Sequence, residues 1–166
     1  ADDVTMDAIG FNQVEAYASG QTDIVVGYAA NEPIVLAAQD FKLNELRVAD
    51  YVQLIANGIV TSEMTIADEP ELVNGMARAL ARGIADTIAN PENAYTISLK
   101  FVENLKDQDE DVQMQVLNTS IEFWNAERIG FSNPQAWENM NELLVKMELI
   151  PTPIDLSKAF TNEFIP

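Results

Sequence analysis

The sequence predicts an α/β fold that becomes predominantly helical after residue 62. Three short runs, at 23–28, 45–50 and 57–61, have the apolar or alternating patterns of β-strands; a helical pattern precedes the first run and another separates it from the second. Beyond the third run, helix start signals and apolar stripes follow one another, and no further strand pattern interrupts them.

The first part of the chain alternates between helix and strand signals. A helical pattern over 7–19 ends at Gly20, the residue type that commonly follows a helix C-terminus. The apolar run 23–28 comes next and predicts a buried strand. Asn31 and Pro33 are typical of a helix N-terminus, so they predict that a second helix follows this strand.

Two more strands are predicted before the helical part begins. The segment 45–50 alternates polar and apolar residues, as a strand with one exposed face does. The segment 57–61 is a short apolar run in which Gly58 allows close approach of another backbone. Because a sheet normally has about five or six strands, we expect this chain to supply part of a sheet whose other strands lie elsewhere.

Four helices are predicted in the remainder of the chain. A capping-box pattern at Asp68 and Glu71 opens the first of them, and Asn90 separates it from the second. Asp107 and Ser132 are the predicted starts of the third and fourth helices. The first helix has an apolar residue at every fourth position: Leu72, Met76, Leu80, Ile84 and Ile88.

The composition excludes several classes of function. The 166 residues include 27 acidic and nine basic side chains, for a formal net charge of −18, with no His and no Cys. Such a chain is poorly suited to bind nucleic acid or anionic lipid. It also lacks an imidazole base, a thiol nucleophile and the usual zinc ligands. The acid-rich segment 107–111 lacks the glycine and distal Glu of a calcium loop. No catalytic residue, metal site or cofactor is predicted.

Four segments in order along the chain resemble one family of proteins. Residues 14–24 carry a helix, a small residue, Gly-Gln-x-Asp and an apolar run, and residues 28–33 carry a Tyr followed by Asn-Glu-Pro. Residues 59–73 and the Thr-Asn-Glu-Phe motif within 160–164 complete the set. They are similar to substrate-binding proteins of ABC importers, in the branch that handles thiamine-precursor pyrimidines, riboflavin and alkylsulfonates.

The resemblance implies a type II periplasmic-binding-protein-like fold, in which two lobes close on a ligand without covalent chemistry. Members are longer than this chain, which resembles their C-terminal half. Residues 1–48 would then be the end of the second lobe, and 49–166 the return into the first lobe. The expected location is periplasmic or otherwise extracytoplasmic, either free or held by a lipid anchor through an absent N-terminus.

The function that the resemblance implies is capture of a small organic molecule, with a thiamine-type pyrimidine first and riboflavin second. The expected partners are this ligand, an ABC permease, and either the missing N-terminal half or a domain-swapped copy of the chain. One alternative is the enzyme of the same fold that makes the thiamine pyrimidine, but that enzyme relies on His and iron. The other alternative is a ligand-sensing receptor module.

Tyr28, Asn31 and Glu32 are the first ligand-binding candidates, because they follow the C-terminal end of a predicted strand, where α/β sheets bind ligands. Tyr28 would stack on a flat heterocycle, while Asn31 and Glu32 donate and accept at its edge. A local interpretation also fits these residues. In it, Asn31 caps the following helix and Glu32 is a solvated acid in the first turn.

A second group of candidates lies around the predicted crossover between the lobes. It consists of Asp50, Tyr51 and Asn57. A polar turn between strands is the alternative interpretation of this group. Trp137 is instead expected to pack in the core, because it shares a helical stripe with Met140 and Leu144.

Overall fold

The structure, a computed structural model, describes residues 4–166. Helices make up about half of the chain. The α-helices are α1 (Gln13–Ala18), α2 (Glu32–Ala37), α3 (Glu63–Asp68), α4 (Pro70–Ala89), α5 (Pro91–Ser98), α6 (Glu110–Trp124) and α7 (Pro134–Lys146). Single turns of 3-10 helix lie at Val48–Asp50, Leu105–Asp107 and Leu156–Lys158.

The three predicted strands are not formed within residues 4–166. The segments 23–28 and 57–61 run without regular secondary structure, and 45–50 ends in the 3-10 turn Val48–Asp50. A strand is stable only beside a neighbour that pairs with its N–H and C=O groups, and the described residues provide no such neighbour. The helical part of the α/β prediction is confirmed, whereas none of its predicted strands forms among the described residues.

Side-chain caps explain where several helices begin. The side-chain oxygens of Asn90, Asp109 and Asn133 accept hydrogen bonds from backbone N–H groups two or three residues later, at 2.9 to 3.1 Å. Asn90 therefore separates α4 from α5 as predicted. The caps of α6 and α7 lie slightly later than the predicted starts at Asp107 and Ser132.

The start of α4 differs from the prediction. Ser62 Oγ accepts a backbone N–H three residues later at 3.0 Å and opens α3, a helix that the sequence patterns did not indicate. Asp68 is the last residue of α3, so the predicted capping box does not form there. Pro70 explains the break, because a proline disfavours helical geometry at the preceding residue, Glu69.

The chain divides into two compact units, and each is described by itself. The first unit contains the residues up to Leu46 together with Tyr95–Ser120. The second unit contains Arg47–Ala94 and Ile121–Pro166. The lobe bounds predicted from the sequence, 1–48 and 49–166, refer to a complete two-lobed fold and remain a prediction.

The core of the first unit lies where α1 contacts α2. Ala16 of α1 and both Ile34 and Leu36 of α2 are buried there, with Leu36 only 1% exposed. Tyr17 of α1 contacts Phe41, which follows α2, in an edge-to-face arrangement with ring centroids 5.8 Å apart. These contacts hold the short helix α2 in place, although six residues are too few for a stable isolated helix.

Asparagine side chains hold the C-terminal part of the second unit. Asn162 accepts from the N–H of Ser132 and donates to its C=O, both at 2.9 Å. Asn141 makes the same pair of bonds with the backbone of Ile154, at 3.0 and 3.2 Å. Each amide thus reproduces the pair of hydrogen bonds that two antiparallel strands exchange.

Trp137 of α7 is half-buried in the second unit, so it packs against other side chains as predicted but does not belong to the fully buried core. Its indole stacks on the ring of Phe160, with centroids 5.0 Å apart and planes 7° from parallel. Together with the Asn141–Ile154 pair, this contact attaches the C-terminal segment to α7, and the Asn162–Ser132 pair attaches it just before α7.

We expect Leu36→Ala to lower the free energy of unfolding by about 2–5 kcal/mol, because it removes a fully buried side chain and leaves a cavity. Leu46→Ala is the matched control, since this side chain is 83% exposed in the same unit. The control is expected to change stability by less than about 0.5 kcal/mol. Urea denaturation followed by circular dichroism measures both variants, and equal losses would contradict the described core.

We expect Asn141→Asp to lower the free energy of unfolding by about 1–3 kcal/mol, because the buried side chain at position 141 can then no longer donate to the carbonyl of Ile154. Asn125→Asp adds the same negative charge at an exposed position and serves as the control. Thermal unfolding of both variants in the same buffer separates the lost hydrogen bond from the added charge. A control that is destabilised as strongly as Asn141→Asp would show that charge alone causes the loss.

Candidate functional site

A tight turn at residues 28–31 carries the first group of candidate residues. It connects the irregular segment 23–28 to α2, and the N–H of Asn31 donates to the carbonyl of Tyr28 at 2.9 Å. Pro33 lies in the first turn of α2, as predicted. The structure therefore brings Tyr28, Asn31 and Glu32 together at one end of α2.

Glu32 is buried, with only 8% of its surface exposed. Its Oε2 accepts a hydrogen bond from the backbone N–H of Tyr28 at 2.6 Å, and its Oε1 accepts one from Nδ2 of Asn31 at 3.0 Å. The interpretation of Glu32 as a solvated acid is therefore wrong. Burial of a carboxylate is costly unless hydrogen bonds compensate for lost water, and these two bonds do so.

Asn31 occupies the residue position before α2, as the capping interpretation predicted, but its side chain makes no capping hydrogen bond. The amide donates to Glu32 instead. The local interpretation is thus right about the position of Asn31 and wrong about its hydrogen bond.

The aromatic ring of Tyr28 is on the surface, and the residue is 61% exposed. An exposed aromatic ring beside an amide and a carboxylate offers a stacking plane with polar groups at its edge. Gly27, just before it, meets Glu32 closely: a Cβ at this position would lie 2.6 Å from Oε2. Gly27 was not among the predicted site residues, although a glycine inside an apolar strand pattern signals such a close approach.

The second group of candidates belongs to the second unit. Asp50 closes the 3-10 turn Val48–Asp50, in which its N–H donates to the carbonyl of Arg47 at 3.1 Å. Tyr51 follows this turn and is 80% exposed, and Asn57 lies in an irregular exposed segment. A ligand contact by any of these three residues remains a prediction.

The first unit also carries a concave surface that the sequence patterns did not indicate. It is an open concavity of about 420 Å³ beside the Tyr17–Phe41 pair, where Gly20 follows α1 in a left-handed conformation with a φ of +71°. Its lining residues are Tyr17, Ala18, Ser19, Gly20, Thr22, Asp23 and Phe41. The Tyr17–Phe41 pair forms one wall of this surface. Its contact depends on how α1 packs on α2.

Acidic side chains do not converge on a cation site in the part of the chain that the structure describes. The acid-rich segment 107–111 instead contains the start of α6, where Asp109 caps the helix and Glu110 and Asp111 lie in its first turn. Among residues 4–166, no helix has the length and apolar character that crossing a membrane requires.

Comparison with known proteins places these features in a family. Residues 1–94 match the model of the NMT1/THI5-like family. Over 99% of its length, the chain is 41% identical to riboflavin-binding protein RibY of Chloroflexus aurantiacus, of which it covers 48%. Over 64% of its length, it is 26% identical to the 4-amino-5-hydroxymethyl-2-methylpyrimidine phosphate synthase of Legionella pneumophila, of which it covers 32%.

The chain spans about half the length of the first relative and about a third of the second. The matched family model covers more than half of this chain, which confirms the resemblance inferred from the sequence motifs. Proteins of this family have a periplasmic-binding-protein-like fold, and the chain described here belongs to the NMT1/THI5-like family.

Proposed function

We propose that this chain is part of the substrate-binding component of an ABC importer, which captures a flat heterocyclic molecule between two lobes. The observation that carries this proposal is the 41% identity, over nearly the whole chain, to a protein named for riboflavin binding. The exposed ring of Tyr28 supports it, because an aromatic surface next to polar groups suits a flat, nitrogen-rich ligand.

Riboflavin is the first ligand in this proposal, and a thiamine-type pyrimidine is the second. The motif at residues 28–33 alone favoured the opposite order. The relative that matches nearly the whole chain supports the flavin, whereas the relative with a pyrimidine in its name matches a smaller part at lower identity. The contacts predicted for Tyr28, Asn31, Asp50, Tyr51 and Asn57 are part of the proposal. The buried Glu32, which was also predicted to contact the ligand, is proposed to support Tyr28 instead.

A synthase of the same family is the second candidate function, because one relative carries that name. The composition favours binding over catalysis. Without His or Cys, this chain offers neither an imidazole as general base nor a thiolate as nucleophile. The third candidate, a receptor module that senses the same ligand, shares the binding site and differs in its protein partner.

We further propose that the rest of a two-lobed fold, or a domain-swapped copy, covers apolar surface that this chain leaves exposed. The chain exposes 12911 Å². Even two separate compact proteins of half its mass would together expose only about 10000 Å². Ile24, Val26 and Val60, in two of the predicted strands, are among the exposed apolar residues. Pairing with strands outside this chain would bury such residues, with 1–48 and 49–166 belonging to the two lobes.

The remaining parts of the proposal follow from the importer role. The partner in the membrane is an ABC permease. The location is extracytoplasmic, which is typical of binding proteins in this family, and the protein is either free in the periplasm or held by a lipid anchor.

We expect the protein that contains this chain to bind riboflavin with 1:1 stoichiometry in isothermal titration and to release it unmodified. Tyr28→Ala is expected to weaken binding about tenfold or more, because stacking on an aromatic ring contributes about 1–3 kcal/mol. Phe101→Ala, an exposed aromatic position in the same unit, is the control and is expected to leave affinity unchanged.

A competition titration with 4-amino-5-hydroxymethyl-2-methylpyrimidine decides the order of the two ligands. Tighter binding of the pyrimidine than of riboflavin would reverse the order. A chemically altered product after incubation would favour the synthase, and failure to bind either compound would contradict the proposed function.

A further inference from the structure

We propose that Glu32 is a positioning residue, which holds the Tyr28 ring in place for the ligand and does not itself contact the ligand. Gly27 provides the space that this arrangement needs. The role of Glu32 in ligand binding rests on the proposed function, whereas its hold on the turn is a property of the protein alone.

The backbone of Tyr28 is held at both of its polar groups. Its N–H donates to Oε2 of Glu32 at 2.6 Å, and its C=O accepts from the N–H of Asn31 at 2.9 Å. Because both groups are engaged within one five-residue segment, the direction in which the side chain leaves the backbone is determined locally. Removing the carboxylate would leave only one of these two constraints.

Burial separates the roles of the two side chains. Glu32 is 8% exposed and each of its oxygens already accepts a hydrogen bond, whereas Tyr28 is 61% exposed. A group that already has its partners and is hidden from solvent offers little to an incoming molecule. The exposed ring is therefore the group that meets the ligand, and the carboxylate supports it.

The position of Glu32 is coupled to the core of the first unit. Leu36 lies four residues later, on the same face of α2, and is the most deeply buried large side chain among the described residues. The burial of Leu36 thus turns this face of α2, with Glu32 in its first turn, toward the interior of the first unit. The geometry of the turn at residues 28–31 therefore depends on the packing of the core.

Gly27 is required by the close approach of this carboxylate. A Cβ at Gly27 would lie 2.6 Å from Oε2 and 2.9 Å from Cδ of Glu32, which is closer than real Cβ contacts. An alanine there would force the carboxylate away from the N–H of Tyr28. Gly27→Ala therefore disturbs the same arrangement as Glu32→Gln without changing the charge of the protein.

The first test needs no ligand. In NMR spectra of the protein, we expect the amide proton of Tyr28 to resonate far downfield and to exchange slowly, because it donates to a buried carboxylate. Glu32→Gln and Gly27→Ala should each move this resonance upfield and accelerate its exchange. Glu15→Gln, an exposed charge change on α1, should leave it unmoved. An unchanged Tyr28 amide in both Glu32→Gln and Gly27→Ala would overturn the positioning role.

The second test separates positioning from direct contact by titration with riboflavin. We expect Glu32→Gln and Gly27→Ala each to weaken binding about tenfold, the equivalent of losing one charged hydrogen bond. In a Tyr28→Ala background, Glu32→Gln should then cause less than about a twofold further loss, because its effect passes through the ring. Independent, multiplying losses would show direct contact of Glu32 with the ligand and would overturn the proposal.

The two tests distinguish the possible failures. If the unaltered protein does not bind riboflavin while the Tyr28 amide responds as expected, the proposed ligand fails and the hold of Glu32 on the turn stands. If riboflavin binds and both Glu32→Gln and Gly27→Ala leave the amide resonance and the affinity unchanged, the proposed function stands and the positioning role fails.

Discussion

Helices, turns and a few side chains provide the hydrogen bonds of the described backbone, and much of the structure depends on this constraint. Among residues 4–166 no strand pairs with another, so helices and side chains provide the hydrogen bonds that sheets otherwise supply. The amides of Asn141 and Asn162 pair with single backbone residues in the second unit, and the carboxylate of Glu32 pairs with Tyr28 in the first. A buried N–H or C=O without a partner would cost more than any of these arrangements.

The lack of strand pairing among residues 4–166 also explains why apolar side chains lie on the surface. Segments with strand-like sequences remain irregular, and their apolar side chains stay in contact with water. The chain belongs to a family with a periplasmic-binding-protein-like fold, and parallel strands in α/β folds are buried on both faces. Under the proposed pairing with strands outside this chain, the exposed apolar residues of these segments would be covered.

Within the candidate site, the short helix α2 joins the buried core to the residues proposed to bind the ligand. Leu36 anchors the helix in the first unit, Glu32 occupies its first turn, and Tyr28 stands exposed just before it. In this arrangement the buried carboxylate holds the backbone of Tyr28, and the exposed ring faces solvent. It resembles the general design of binding sites, in which a rigid support orients the groups that meet the ligand.

Sequence alone determined the features that depend on neighbouring residues. The glycine end of α1, the cap at Asn90 and Pro33 in the first turn of α2 all follow from local backbone preferences, and the motifs between residues 14 and 164 identified the family. Only the tertiary structure decided that Glu32 is buried and that Asn162 holds Ser132, thirty positions earlier. The tertiary structure also decided that the predicted strands do not form among residues 4–166. Local patterns report the preference of a segment, whereas burial and pairing depend on which distant groups lie beside it.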